Sequence, residues 1–197
     1  MLRQALTKLS EQTSIAIVLR KIVELNFRKQ KSAIRRFLSL RPSERVLDVG
    51  CGTGEFAPFF SVEQYDGIDI DPSNIAYAKR HFPHRFQTAD AMHLPFADAS
   101  FDAVLVVGVL HHLSLEQCER VCAEMIRVLK QNGRLLIMED TKSTRFITEL
   151  MHRLDQGAYI RTKAEWEELF RKHFTIDEAW TFNNGVCFYS AFVLRKK

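Results

Sequence analysis

Short β-type runs, several of them almost continuously apolar, recur along the chain at Arg45–Val49, Tyr65–Ile70, Arg85–Ala89, Ala103–Val107 and Arg134–Glu139. Between them lie stretches with helical spacing, Ser73–His81 and Leu115–Leu129. Continuous apolar strands are expected where helices cover both faces of a sheet, because neither side of the strand then meets water. Strand, helix, strand in repetition predicts a parallel, doubly wound α/β sheet.

The polar punctuation agrees with this reading. Asp71-Pro72 places an N-cap before a proline at the first helical position, where a missing N–H costs nothing. Ser114-Leu-Glu-Gln117 and Thr162-Lys-Ala-Glu165 have capping-box spacing. The helix that opens at Leu115 is expected to stop at Asn132-Gly133. Phe174–Phe182 and Val186–Leu194 are β-type runs joined by Asn183-Asn184-Gly185, a hairpin signal. A parallel sheet that ends in a hairpin must hold one antiparallel strand at or near its edge.

Residues 1–40 read as a helical arm ahead of a catalytic domain over 41–197. Ile15, Ile17, Val18, Leu19, Ile22, Val23, Leu25 and Phe27 are spaced loosely as on a helix. Such an arm would cover the sheet, cap a substrate pocket or lie on a membrane surface. Charge sharpens the picture. Residues 1–45 hold eleven Lys or Arg against Glu11, Glu24 and Glu44, in a chain of net charge +4, so the remainder is mildly acidic. A basic arm fits an acidic substrate, a lipid surface, RNA or, most simply, a solvated helix face.

With 197 residues, 46% hydrophobic and 26% charged, the chain suits one globular domain rather than a disordered segment. No run approaches the ~20 apolar residues of a membrane span, and the start lacks the order of a secretory signal, so a cytoplasmic protein is expected. Cys51, Cys118, Cys122 and Cys187 form no CxxC pair and are expected as reduced thiols. Cys118 and Cys122 with His111 and His112 make a conceivable zinc set, but the spacing is poor and no metal is expected.

The informative segment is Val46-Leu-Asp-Val-Gly-Cys-Gly-Thr-Gly-Glu55, a strand running into a glycine loop with a helix expected after it. Gly50, Gly52 and Gly54 allow a sharp turn and a close ligand. In open α/β sheets such loops lie where ligands bind. A dinucleotide loop would carry a third glycine at 55, where this chain has Glu55, badly placed for a pyrophosphate. Asp48 at the end of the first strand suits a cationic ligand instead. Asp69, ending the second strand, can accept from both ribose hydroxyls, with Ile70 as an apolar face for a base. Asp90 ends the third strand and can accept from an adenine amino group, or simply cap its loop.

These pieces together resemble the class I S-adenosylmethionine-dependent methyltransferases, in the small-molecule group described as type 11 or ubiquinone-biosynthesis-like. The resemblance rests on VLDVGCGTG (46–54), GIDIDP (67–72), ADAMHLPFADASFDAV (89–104), VLHHL (109–113) and RVLKQNGRLLI (127–137), about half of the chain. It implies a Rossmann-like seven-stranded sheet with the last strand antiparallel, and S-adenosylmethionine as cofactor. It also implies Gly50, Cys51 and Gly52 at the methionine end, Asp69 on ribose, Asp90 with Ala91 on adenine, and the Val107 backbone near the cofactor's amino group. The family usually carries Pro-Gly-Gly where this chain reads Gln131-Asn132-Gly133.

Methyl transfer is an in-line displacement that needs alignment, desolvation and sometimes a base. His111 and His112, just after the fourth strand, are base candidates, or residues that pack a helix entry. Glu139 and Asp140 end the fifth strand and are expected at the pocket mouth, where Asp140 in particular is a candidate to orient an acceptor. Residues 141–161, with His152, Tyr159 and Arg161, lie where the resembled family places acceptor contacts. No Asn-Pro-Pro-Tyr-like turn or Pro-Cys motif is present, which leaves a small, apolar, aromatic or lipid-like acceptor as the expectation. The basic arm keeps a nucleic-acid or lipid acceptor open, and the protein is expected as a monomer or homodimer.

Overall fold

A computed structural model of the protein describes residues 27–142, 159–185 and 187–197. Seven strands form one sheet: β1 (Val46–Val49), β2 (Tyr65–Asp69), β3 (Arg85–Thr88), β4 (Phe101–Val107), β5 (Leu129–Asp140), β6 (Phe174–Asn184) and β7 (Cys187–Lys196). Their order is β3-β2-β1-β4-β5-β7-β6. β1 to β5 pair in parallel, and β7 runs antiparallel to both β5 and β6. The hairpin therefore closes the sheet as expected. Asn184 pairs with Cys187 across a tight turn in which Gly185 takes φ 69°.

Four helices are described: α1 (Arg28–Phe37), α2 (Pro72–His81), α3 (Leu115–Val128) and α4 (Lys163–His173). Their starts are built as the sequence reads. The Asp71 carboxylate accepts from the Ser73 N–H at 2.7 Å, and both capping boxes close, Ser114 with Gln117 and Thr162 with Glu165. The strand period of two then sorts side chains to two faces. Leu47, Val49, Val104, Val106, Leu135 and Ile137 face α3 and α4, where Val121, Met125, Trp166 and Phe170 are fully buried. Val46, Ala103, Leu105, Leu136 and Met138 face the other way, toward α1 and α2.

Two expectations are corrected. No α-helix follows the glycine loop; a single 3-10 turn, Ala57–Phe59, stands there with Pro58 in its first turn. Gly50, Gly52 and Gly54 all take positive φ there, and Pro58 follows in the short turn. The arm supplies the missing cover. Ile34 and Phe27 pack with Phe56, Ala57 and Phe60, the Phe27 and Phe56 rings meet edge to face at 5.8 Å, and Lys31 pairs with Glu55 at 2.6 Å. The remainder of the expected N-terminal helical arm lies outside the described residues.

The second correction concerns the end of α3. The helix stops at Val128, and Leu129 already pairs with Phe101, so Asn132-Gly133 lies inside β5 rather than at a helix end. Register then jumps, with Ala103 opposite Arg134, and residues 130–133 loop out. Lys130 holds this bulge by contacting both Asp102 oxygens, at 2.9 and 2.8 Å. Gly133 is required there, because a Cβ would stand 2.6 Å from the Leu129 side chain.

Candidate cofactor site

The sheet order reverses between β1 and β4, and at their carboxyl ends a cleft of about 550 Å³ opens. That volume falls within the roughly 300–1,000 Å³ of small-molecule sites. Gly50 and Gly52 line one wall, Asp69, Ile70, Asp71 and Asn74 a second, Ala89, Asp90 and Ala91 a third, and Val107, Gly108, Val109, His112 and Leu113 a fourth.

The two glycines act differently. Gly50 takes φ +72°, and a Cβ there would stand 2.3 Å from a Val109 methyl, so its bareness lets the glycine loop lie against the turn after β4. Gly52 takes φ +52°, and its missing Cβ would meet no atom within 4 Å. Its side faces open cleft, leaving the main chain bare to a ligand.

Asp69 is fixed by three donors. Oδ2 accepts from the Gly52 N–H at 2.9 Å, and Oδ1 accepts from the Asp71 N–H at 2.9 Å and from Asn74 Nδ2 at 3.3 Å. Oδ2 keeps an acceptor site, and the long Asn74 contact can yield one on Oδ1. Ile70, beside it, is 72% exposed, a large apolar side chain set in the cleft wall. Asp90 Oδ1 accepts from the Met92 N–H at 2.8 Å, which rigidifies the loop after β3. The charged lining side chains are thus Asp69, Asp71 and Asp90, with no Lys or Arg among the lining residues.

Of the expected site residues, Gly50, Gly52, Asp69, Ile70, Asp90, Ala91, Val107 and His112 come together in this lining; Asp48, Cys51, Gly54, His111 and Asp140 do not. Asp48 is buried and accepts from the Tyr65 hydroxyl at 2.7 Å. Burial pushes its carboxyl up to about 7 against the opposing Tyr65 hydrogen bond, and the charge of Asp69 adds to the rise. Cys51 is buried under the loop, and desolvation holds its thiol far above the usual thiol range. Gly54 takes φ +84° and faces the Phe82 and Phe86 rings.

Glu139 and Asp140, expected at the pocket mouth, are both buried. Glu139 accepts from the N–H groups of Val109, Leu110 and His111 at 3.0–3.2 Å, and its Oε2 lies 2.9 Å from His111 Nδ1. It therefore holds the turn that forms the fourth wall rather than facing an acceptor. His111 Nε2 sits 3.7 Å from Asp140 Oδ2, and the His111 and His112 rings lie 4.0 Å apart. Only His112 of this group is exposed and lines the cleft. Arg161 braces the same turn, donating to the carbonyls of Leu110 and Leu113 at 3.3 and 3.0 Å with its guanidinium 4.7 Å from the Trp166 ring centroid. Tyr159 donates its N–H to the His111 carbonyl at 3.0 Å and is 46% exposed; His152 lies outside the described residues.

Sequence reasoning passed over Asp71 and Asn74 as lining residues. In the sequence Asp71 reads as a cap, yet the first turn of a helix that starts at a strand tip faces the same cleft as that tip. The spacing Asp69-x-Asp71-x-x-Asn74 carried that signal.

Residues 47–137 match a family described as a methyltransferase domain. An uncharacterized methyltransferase, YcgJ of Bacillus subtilis, is 34% identical over 145 residues, 66% of this chain and 56% of the relative. A human protein described as probable tRNA methyltransferase 9B is 36% identical over 106 residues, 53% of this chain and 23% of the relative. A demethylmenaquinone methyltransferase of Beutenbergia cavernae is 39% identical over 105 residues, 52% of this chain and 43% of the relative. The chain thus spans roughly half or less of the length of these relatives. In structure, a geranyl diphosphate C-methyltransferase of Streptomyces coelicolor, solved with geranyl diphosphate and S-adenosylhomocysteine, superposes with a TM-score of 0.72 at 12% identity, covering 86% of this chain and 80% of the other. Glycine loop, acidic rim and strand order agree with the sequence match, and over residues 47–137 the chain is similar to methyltransferase domains.

Proposed function

We propose that the cleft binds S-adenosylmethionine and that the protein transfers its methyl group to a small apolar or lipid-like acceptor. The observation that carries the first part is the lining: bare glycine backbone on one side and three carboxylates with no Lys or Arg on the others. A cationic nucleoside is favoured by that charge, and a pyrophosphate is repelled by it. When bound, the cofactor supplies a methyl group on a positively charged sulfur, which leaves as a neutral thioether. Asp69 would hold the ribose, Ile70 would cover one face of the base, and Asp90 with Ala91 would meet its edge. The Val107–Leu113 turn, pinned by Glu139 and Arg161, keeps the fourth wall rigid, so alignment is built in before an acceptor arrives. His112 lines the cleft and is the candidate to take a proton from an acceptor hydroxyl. His111 and Asp140 lie behind it and would act through its placement.

The acceptor class follows from exposed apolar surface. With Ile70 assigned to the base, the exposed large hydrophobic residues left among those described are Leu115 and Tyr159, and both sit by the Val107–Leu113 turn: Leu115 opens the helix after it and Tyr159 bonds to it. Apolar groups left in water around a cleft mouth favour an apolar partner. The relative named for demethylmenaquinone and the neighbour solved with geranyl diphosphate support the same class. Titration calorimetry tests the reading. S-adenosylhomocysteine is expected to bind and a nicotinamide dinucleotide is not; the reverse result would overturn it.

A further inference from the structure

We infer that α1 and the adjoining part of β6 form a docking surface for an anionic lipid bilayer. The helix reads RKQKSAIRRF and carries no acidic residue. Its apolar positions, Ala33 and Ile34, are committed to the core and Lys31 pairs with Glu55, so the other four cations are turned outward: Arg28, Lys29, Arg35 and Arg36 are all exposed. Arg36 shares Glu178 at 3.3 Å, and Arg35 lies 4.8 Å from the Phe59 ring centroid; Arg28 and Lys29 face no carboxylate among the described residues. Arg41, 82% exposed, lies beyond the helix and is paired with Glu44 at 2.7 Å.

A groove of about 200 Å³ runs between this helix and β6, lined by Lys29, Arg36, Phe37, Trp180 and Phe182 among others. Trp180 and Phe37 are half-buried, with ring centroids 5.1 Å apart, and the Arg36 guanidinium lies 4.5 Å from the Phe37 ring centroid. Cations gathered on an amphipathic helix are drawn to phosphate headgroups, and a half-exposed tryptophan beside them suits the headgroup boundary. The sequence just ahead of the helix, in which Arg20 and Lys21 interrupt apolar residues from Ile15 to Val23, has the same interfacial composition. That composition favours a bilayer over an RNA strand, which needs cations and stacking rings but no apolar run. The surface is separate from the cleft, so its test reads membrane binding and not methyl transfer.

The experiment is flotation of the full chain with vesicles of phosphatidylcholine alone and of phosphatidylcholine mixed equally with phosphatidylglycerol. Binding is expected only to the anionic vesicles, weakening as salt rises. The triple variant Arg28→Gln, Lys29→Gln, Arg36→Gln is expected to bind about a hundredfold more weakly, near fivefold per cation. Tryptophan emission is expected to shift to the blue on anionic vesicles, and this shift is lost in Trp180→Phe, because Trp166 is already buried. Undiminished calorimetric binding of S-adenosylhomocysteine by each variant shows that it is folded. Equal binding to both vesicle types, no binding to either, or an unaffected triple variant would overturn the inference, as would salt-sensitive binding of oligouridylate in place of vesicles.

Discussion

Asp48 and Asp69 look alike in the sequence, each an acid near the end of a parallel strand before a loop, and the fold gives them opposite lives. Asp48 pairs in register with Gly67, two residues below the level of Asp69. That offset puts it beneath the glycine loop, buried and bonded to Tyr65, while Asp69 reaches the rim and is held by three donors. An acid near a strand tip meets a ligand only if it stands at the tip. One layer lower, the same side chain is a desolvated group bonded to Tyr65.

The comparison breaks most readily at Asp69. Asp69→Ala is expected to weaken S-adenosylhomocysteine binding about a hundredfold or more, since charge-assisted hydrogen bonds contribute ~1.5–3 kcal/mol each. Calorimetry checks this, and a loss of less than tenfold would remove Asp69 from the site.

Asp48→Asn should do the reverse, changing stability and leaving affinity within about threefold. Its carboxyl, ordinarily ionising at 3.8, is held up to about 7 by burial. Between those values the folded state keeps a proton that the unfolded state has released, so this group lowers stability as pH rises from about 4 to about 7, and the full penalty remains above. Asparagine still accepts from Tyr65 and cannot ionise. The variant is expected to match the parent below pH 4 and to gain roughly 2–4 kcal/mol at pH 8. Denaturation at the two pH values reads the difference, and a variant less stable at pH 8 would sink it.

Gly52→Ala sharpens the contrast from the ligand's side. It keeps the N–H that binds Asp69 and meets no protein atom, but places a methyl in the open cleft at φ +52°. Affinity is expected to fall about tenfold for a stability cost of about 1 kcal/mol. Equal affinity would mean that the ligand lies elsewhere. The smallest effect is expected for Ile70→Ala. At 72% exposure the side chain adds little to folding, so melting should stay within about 0.5 kcal/mol while affinity falls about fivefold through lost apolar cover.

Local chemistry was legible because it depends on neighbours in sequence. The caps at Asp71, Ser114 and Thr162, and the hairpin at Asn184-Gly185, stand where side-chain type and spacing place them. The end of α3 is not legible because Asn132-Gly133 is a turn signal by itself, whereas the core needs Leu129 extended against Phe101. The lack of a helix after the glycine loop is not legible for a related reason. Only the tertiary arrangement shows α1 coming back to cover that face, joined by Lys31 to Glu55. Glu139 gave no sign of its partners, since its donors lie thirty residues away on another strand's turn.

From the sequence alone came the alternation of strands and helices, the antiparallel finish, the glycine loop and the acids near the strand ends, all set by period, capping and backbone freedom. The tertiary structure alone decided which acids reach the cleft, which histidine sees it and what the basic helix covers. Those outcomes turn on register and burial, and a shift of one or two residues along a strand exchanges a wet rim for a dry interior.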